Sequence, residues 1–504
     1  MRVLISILLF NQLIFSANIL SNCIVAPDTR TFERFQFTFP EQIESEHFIV
    51  HFTTSNADSQ FVNEQWLNLQ CNFGYAQSVI ELAEYALAIF MEADWEMMPP
   101  DCDEGITDEE SPNHCNNFGG NALYDIYLAN DAVGLVAPEN PYPVEPYIGG
   151  FTSFMQVTPL GNEHTFVPDW SVHVIAHELH HAIQIRYGTS VSGEPGNYAY
   201  NGWLYEQTST YMENVIFPAS YHFLVMMGNC NITSPLTYPE ISIDSSVDIY
   251  QYRSALWQKF LVEAYGDSTI NRLIWEGFGL ETATGNPVNM FPIYESALQT
   301  VTDGVTTLGD AYQDYALWRY FTGSRSRPGE FFMQAASYCT ANLLAIEETP
   351  TTFPSEKGGA RLVKLLPYET NLLLASSAYD NLLVQHISFS EEDEILMSAI
   401  EVNGEESFFQ LYNPAGDNHA LFITSEYTGE PGEEIEFTLA NTVPFMEGDI
   451  TGDSMVNIQD IIVQINIILH QIDPTEYQWL AADLDENNVV DVLDVILLVN
   501  LILG

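Results

Sequence analysis

The chain is poor in positive charge. Only 13 of its 504 residues are Lys or Arg, against 69 Asp or Glu, for a formal net charge of −56. A phosphate-binding surface needs clustered cations, so nucleic acid is not an expected partner. An anionic membrane surface is not an expected partner either, for the same reason. Acidity of this degree favours solubility and divalent cations and says little about fold. Cysteine is also scarce: Cys23, Cys71, Cys102, Cys115, Cys230 and Cys339 are scattered, and none are spaced as CxxC. That excludes a disulfide scaffold and makes a cysteine zinc site unexpected. Cys102 and Cys115 flank an acidic loop and are the pair expected to bridge. No segment carries the roughly 18–20 uninterrupted apolar residues of a membrane-spanning helix, so no span is expected. Core-forming residues are not lacking. At 46% hydrophobic and 13% aromatic the chain is not intrinsically disordered. Its length suggests roughly three or four domains.

The first residues have the layout of an export signal. Arg2 precedes the apolar stretch Val3 to Phe10, and small residues follow at Ser16 and Ala17. A charged n-region, an apolar h-region and a small-residue cleavage site form that pattern, so residues 1–17 are expected to be a signal peptide of a secreted or cell-surface protein. His47 to Thr54 (HFIVHFTT) alternates and is rich in aromatic and β-branched residues, so it predicts a strand. Residues 74–96 predict a helix stopped by Pro99-Pro100, and Tyr124–Leu128 and Phe151–Val157 predict further strands. Helical patterns dominate from about 170 to 345. Between 360 and 442, short β-like runs (Asn371–Leu374, Leu382–Phe389, Phe408–Tyr412, Ala420–Thr424) alternate with turn clusters, which predicts a β-sandwich.

The strongest chemical signal is His177-Glu178-Leu179-His180-His181, an HExxH motif. Val172, Ile175, Ala176, Leu179, Ala182 and Ile183 form an apolar stripe at helical spacing, Asp169 or Ser171 can cap the helix, and Gly188 ends it. Residues four apart share a face, so His177 and His181 can bind one zinc ion. Glu178 beside them can take a proton from the metal-bound water. His173 lies one turn earlier on the same face, but using it in place of His181 would leave Glu178 without its place. A catalytic zinc needs a third protein ligand. The metzincin pattern fails, because Gln184 and Tyr187 stand where Gly and His are required. Downstream, Glu194 sits in a Ser-Gly-Glu-Pro-Gly loop. Glu206 lies on a predicted helix 25 residues after His181, far enough for an antiparallel return, and is the expected ligand; Glu213, two turns later, is the next candidate.

HELHHAIQ followed by WLYEQTSTYMEN resembles secreted bacterial zinc metalloproteases of the gluzincin type, which pair an HExxHAxQ helix with a W-x-x-E-x-x-[AS] helix. HFIVHFTT, YDIYL, YGDSTINRLIWE (265–276) and DYALWRYFTGSR (314–325) add to the likeness, which covers about residues 40–330. The resemblance implies His177, His181 and Glu206 as zinc ligands, Glu178 as general base, and peptide-bond hydrolysis. Ser209 fills the small position of the second motif. An oxyanion donor is expected, and Tyr250, Tyr252 and Tyr211 are unranked candidates.

The last sixty or so residues repeat with a period of 34. Asp449, Thr451, Asp453, Asn457 and Asp460 align with Asp483, Asp485, Asn487, Asp491 and Asp494, placing oxygen side chains at loop positions 1, 3, 5, 9 and 12. That is the layout of a calcium loop. Each loop precedes an apolar helix, and the pair resembles a type I dockerin. Asp at position 12 matches dockerins, while Ser454 and Asn488 replace the usual Gly at position 6. From 446 onward there is no Lys or Arg, so without calcium the carboxylates should repel one another. A dockerin implies a cohesin-like partner on a scaffold or surface.

The expected architecture is multidomain. A signal peptide (1–17) is followed by an α+β, zincin-like metallopeptidase domain (18–345), a β-sandwich (346–445) and a small all-α dockerin-like EF-hand pair (446–504). The expected function is secreted, zinc-dependent peptide hydrolysis, with Zn²⁺ and Ca²⁺ as cofactors and a protein or peptide as substrate. The alternatives are a non-catalytic surface-binding protein with a relic HExxH site, and a zinc hydrolase of non-peptide substrates.

Overall fold

The computed structural model describes residues 34–62, 65–100, 102, 114–115, 120–129, 134–188, 201–218, 221–282, 288–345, 351–356, 358–365, 370–377, 382–389, 395–400, 407–412, 418–425, 434–442, 446–451, 455–474, 476–485, 487 and 489–503. The expected signal peptide, Cys23, Glu194, Asp453 and position 6 of both calcium loops lie outside them. The chain forms two compact units. The first takes the described residues up to Tyr238, then Ile243–Ala311 and Trp318–Ala341. The second takes Pro239–Ser242, Tyr312–Leu317 and the described residues from Asn342 onward.

The first unit is built on a five-stranded mixed sheet. Its strands are β1 (Glu41–Glu44), β2 (Phe48–Phe52), β5 (Tyr124–Tyr127), β6 (Gly134–Pro141) and β7 (Phe151–Val157), and a small hairpin of β3 (Ser59–Val62) and β4 (Gln65–Asn68) stands apart from it. The spatial order is β1-β2-β5-β7-β6. Strands β2, β5 and β7 run parallel, and β1 and β6 run antiparallel at the two edges. All four residues of central β5 are buried, as a strand covered on both faces requires. The predicted strands at 47–54, 124–128 and 151–157 correspond to β2, β5 and β7.

Helix α1 (Phe73–Glu92) starts where the Asn72 side chain accepts a hydrogen bond from the Gly74 amide. It buries Val79, Ile80, Ala83, Ala86, Leu87 and Phe90. It stops short of Pro99-Pro100, because Asp94 turns into the left-handed region (φ 58°). Helix α2 (Val172–Tyr187) carries HExxH and packs on β6 and β7, on α1, and on α3 (Gly202–Ile216). Every residue from Val174 to Tyr187 and from Trp203 to Asn214 is buried. Helices buried all round must pair their polar side chains with one another. The pair α2/α3 is therefore where the chain concentrates buried chemistry. Ser171 precedes α2 without a side-chain cap bond, and Gly188 closes it through its amide to the Gln184 carbonyl. The helices that follow are α4 (Tyr221–Gly228), α5 (Tyr250–Arg253), α6 (Ala255–Tyr265), α7 (Ile270–Thr282), α8 (Met290–Val301) and α9 (Leu308–Tyr320). Disulfides join Cys102 to Cys115, the expected pair, and Cys230 to Cys339.

The second unit begins with β8 (Leu344–Ala345), β9 (Thr351–Glu356), β10 (Ala360–Lys364), β11 (Thr370–Ser377), β12 (Leu382–Phe389), β13 (Leu396–Ile400), β14 (Ser407–Tyr412), β15 (Asn418–Ser425) and β16 (Glu434–Thr442). They form one sheet ordered β13-β12-β15-β10-β8 and another ordered β14-β11-β16-β9. Consecutive residues Leu421, Phe422 and Ile423 of β15 are all buried, so the five-stranded sheet is covered on both faces. The C-terminal segment adds α10 (Ile458–Ile468), α11 (Glu476–Ala482) and α12 (Val492–Leu503) around a core of Ile450, Ile467, Ala481, Ala482 and Leu498. No described helix is long and apolar enough to cross a membrane.

Candidate metal centre

Three donor atoms converge between α2 and α3. His177 Nε2 lies 3.1 Å from Glu206 Oε2, His181 Nε2 lies 3.3 Å from the same oxygen, and the two nitrogens are 3.0 Å apart. On a tetrahedral zinc with bonds of about 2.0–2.2 Å, ligand atoms sit about 3.4 Å apart. Two imidazoles and one carboxylate at nearly this separation, all buried, fit a zinc ion and leave further coordination positions open. Burial lowers the pKa of His181 against the pull of Glu206, which keeps the imidazole in its neutral, ligating form. Burial pushes Glu206 upward, but His181 and His177 outweigh it and hold its pKa down to about 2.

Both imidazoles are oriented from behind. His177 Nδ1 donates to Glu213 Oε1 at 2.7 Å, and His181 Nδ1 donates to Gln184 Oε1 at 2.7 Å, with Ser209 Oγ also 3.1 Å away. Such partners fix the ring tautomer and strengthen the ligand. Gln184 is itself held by the Tyr205 carbonyl, to which Nε2 donates at 3.0 Å. Glu213 therefore supports His177 from its far side rather than joining the donor set at Nε2. His180 belongs to the core: it stacks on Phe90, meets Trp95 edge-on, and burial depresses its pKa strongly.

Glu178 is buried beside the donors, and β6 packs tightly on it. A Cβ at Gly134 would lie 2.5 Å from Glu178 Cγ, so only glycine allows the strand this close. A cavity opens against His177 and Glu178, walled also by His173, Glu213, His222 and Tyr252. Of the three tyrosines expected near the site, Tyr252 is the one that lines this cavity, with its ring 6.0 Å from that of His177. It is carried by α5, entered through Asp248 and Ile249, both left-handed (φ 47° and 58°). Arg253 donates to the Asp248 carbonyl at 2.9 Å, and Thr233 donates to the Asp248 carboxylate at 2.8 Å, which fixes the strained turn. His222 escaped the sequence reading. It is a lone histidine in the apolar helix α4, and nothing in its neighbourhood in sequence marks it.

The two C-terminal loops repeat one hydrogen-bond scheme. Asp460 accepts from the amides of Thr451 and Asn457, both at 2.8 Å. Asp494 accepts from the amides of Asp485 at 3.3 Å and Asp491 at 2.8 Å, which are the equivalent positions. Asp483, Asp485 and Asp494 bring ligand oxygens within 4.8 Å of one another. In the first loop Thr451 Oγ1 donates to Asp449 at 3.3 Å, and in the second the Asn487 amide donates to Asp483 and Asp485, both at 3.2 Å.

Comparison with known families matches two segments. Residues 447–503 match the dockerin type I domain, so the tail is a type I dockerin, a domain that binds calcium. Residues 165–294 match a family of unknown function, DUF6055. That segment is about a quarter of the chain and holds α2 and α3, hence all three donors of the centre. No curated protein matches. Among solved structures, a chain similar over 39% of this sequence is the capsular polysaccharide assembling protein CapF from Staphylococcus aureus, at 11% identity and a TM-score of 0.14. The match spans 63% of that chain's length and carries no argument about fold.

Proposed function

We propose that the protein is a zinc-dependent peptidase of zincin-like fold, tethered through its dockerin to a cohesin-bearing partner outside a bacterial cell. The observation that supports the chemistry is the convergence of His177, His181 and Glu206, with His177 and Glu178 lining a shared cavity. Zinc, when bound by the three donors, supplies Lewis-acid polarisation of a carbonyl and acidifies water. Glu178 accepts a proton from the attacking water at its carboxylate and passes it to the leaving amine nitrogen. The Tyr252 hydroxyl is the candidate donor to the oxygen on which charge develops. Edge strand β6 reaches Glu178 at Gly134.

The tether rests on the dockerin match and on an apolar surface repeated by the internal duplication. Ile458, Ile462 and Leu469 of the first repeat correspond to Val492, Ile496 and Leu503 of the second, and all are exposed. Duplicated apolar stripes of this kind mark an interaction surface. The peptidase reading is tested with casein and purified protein. Cleavage that stops on adding the zinc chelator phenanthroline and returns with added zinc is the expected result. No cleavage, or cleavage indifferent to chelation, contradicts it.

A further inference from the structure

We propose that His173, Glu213 and His222 form a second site for a zinc-class divalent cation, next to the donors His177, His181 and Glu206. The pairing of α2 with α3 produces two rungs. His173, His177 and His181 follow one another at four-residue spacing along one face of α2, and Glu206 and Glu213 lie two turns apart on α3. The first rung is the centre described above. At the second, Glu213 is 1% exposed and has an imidazole on each oxygen: His177 Nδ1 at 2.7 Å from Oε1 and His222 Nδ1 at 2.6 Å from Oε2. His173 stacks on His222 with ring centroids 4.2 Å apart, and its Nδ1 is buried without a hydrogen-bond partner among the described residues. The donor atoms of His173, Glu213 and His222 all lie within 4.8 Å of one another. Donors of one tetrahedral zinc are about 3.4 Å apart, so the His173 and His222 rings must turn inward to close the set. Two histidines and a glutamate repeat the donor chemistry of the first rung. All three residues line the cavity that reaches His177 and Glu178, a space of about one water molecule that an ion could occupy. Glu213, hydrogen-bonded to His177, would link the two ions. The inference does not depend on the peptidase reading.

The test counts zinc per chain. The full chain is stripped with a chelator, saturated with calcium to fill the dockerin loops, loaded with zinc alone, and dialysed. Wild type is expected to hold two zinc ions, and His222→Ala, His173→Gln and His181→Ala one each, with far-ultraviolet circular dichroism checking that each folds. The two substitutions at the second rung guard against a folding failure of either. Two zinc ions in wild type, His222→Ala and His173→Gln alike would overturn the second site, as would one in all three. A single wild-type ion lost in His222→Ala but kept in His181→Ala would uphold the second site while removing the first. No zinc in wild type would overturn both.

Discussion

At the scale of single residues, the centre depends on imidazoles and carboxylates buried where each has one job. Glu178 stands beside the donors and is not one of them. Glu178→Gln is therefore expected to lower casein cleavage by about 10²–10⁴-fold while zinc content stays at the wild-type level. Gln184 touches no metal yet holds His181, so Gln184→Ala should weaken zinc binding about 10–100-fold, read by competition with a chelating dye. Gly134→Ala would drive a methyl into Glu178, and is expected to lose both stability and activity. Glu206 sets a pH dependence. Its folded pKa of about 2 lies below its ordinary value of 4.5, so in metal-free protein its contribution is complete above pH 4.5 and is lost as pH falls toward 2. Acid unfolding of metal-free Glu206→Gln should lack that part of the pH dependence, and denaturant titrations across this range measure it.

At the scale of elements, the site was largely legible and its supports were not. The apolar stripe from Val172 to Ile183 with Gly188 beyond it defines α2, and the 25-residue step to Glu206 anticipates the return of α3. Both are local patterns. His222 and the supporting role of Glu213 behind His177 were hidden, because they come from helix packing, which sequence spacing does not encode. Helix α1 ended early for a similar reason, since a left-handed Asp94 carries no signal as clear as a proline. The strand runs of the second unit could be read from alternation, but not their order, because β10 pairs with β8 and β15 across long stretches of chain. The calcium loops were fully patterned in sequence. Their two position-12 aspartates each collect backbone amides, so Asp494→Ala is expected to reduce bound calcium from two ions to one and to cut the helical circular dichroism signal. Retention of both ions would contradict the loop assignment.

At the scale of the whole molecule, the excess of acid shapes behaviour more than it shapes fold. The segment from 446 onward has carboxylates and no Lys or Arg, so calcium neutralises charge there as well as ordering loops. Calcium at a hundred times its dissociation constant should stabilise the domain by about 2.7 kcal/mol per site, visible as a melting temperature that rises with calcium concentration.

The central claim, that His177, His181 and Glu206 hold the metal on which Glu178 works, is tested most directly by one side-by-side assay. Casein cleavage and zinc content are measured together on wild type, Glu178→Gln and Glu206→Gln. The account predicts an active wild type, an inactive Glu178→Gln with its zinc intact, and an inactive Glu206→Gln that has lost zinc. A Glu178→Gln variant that cleaves as fast as wild type would contradict it.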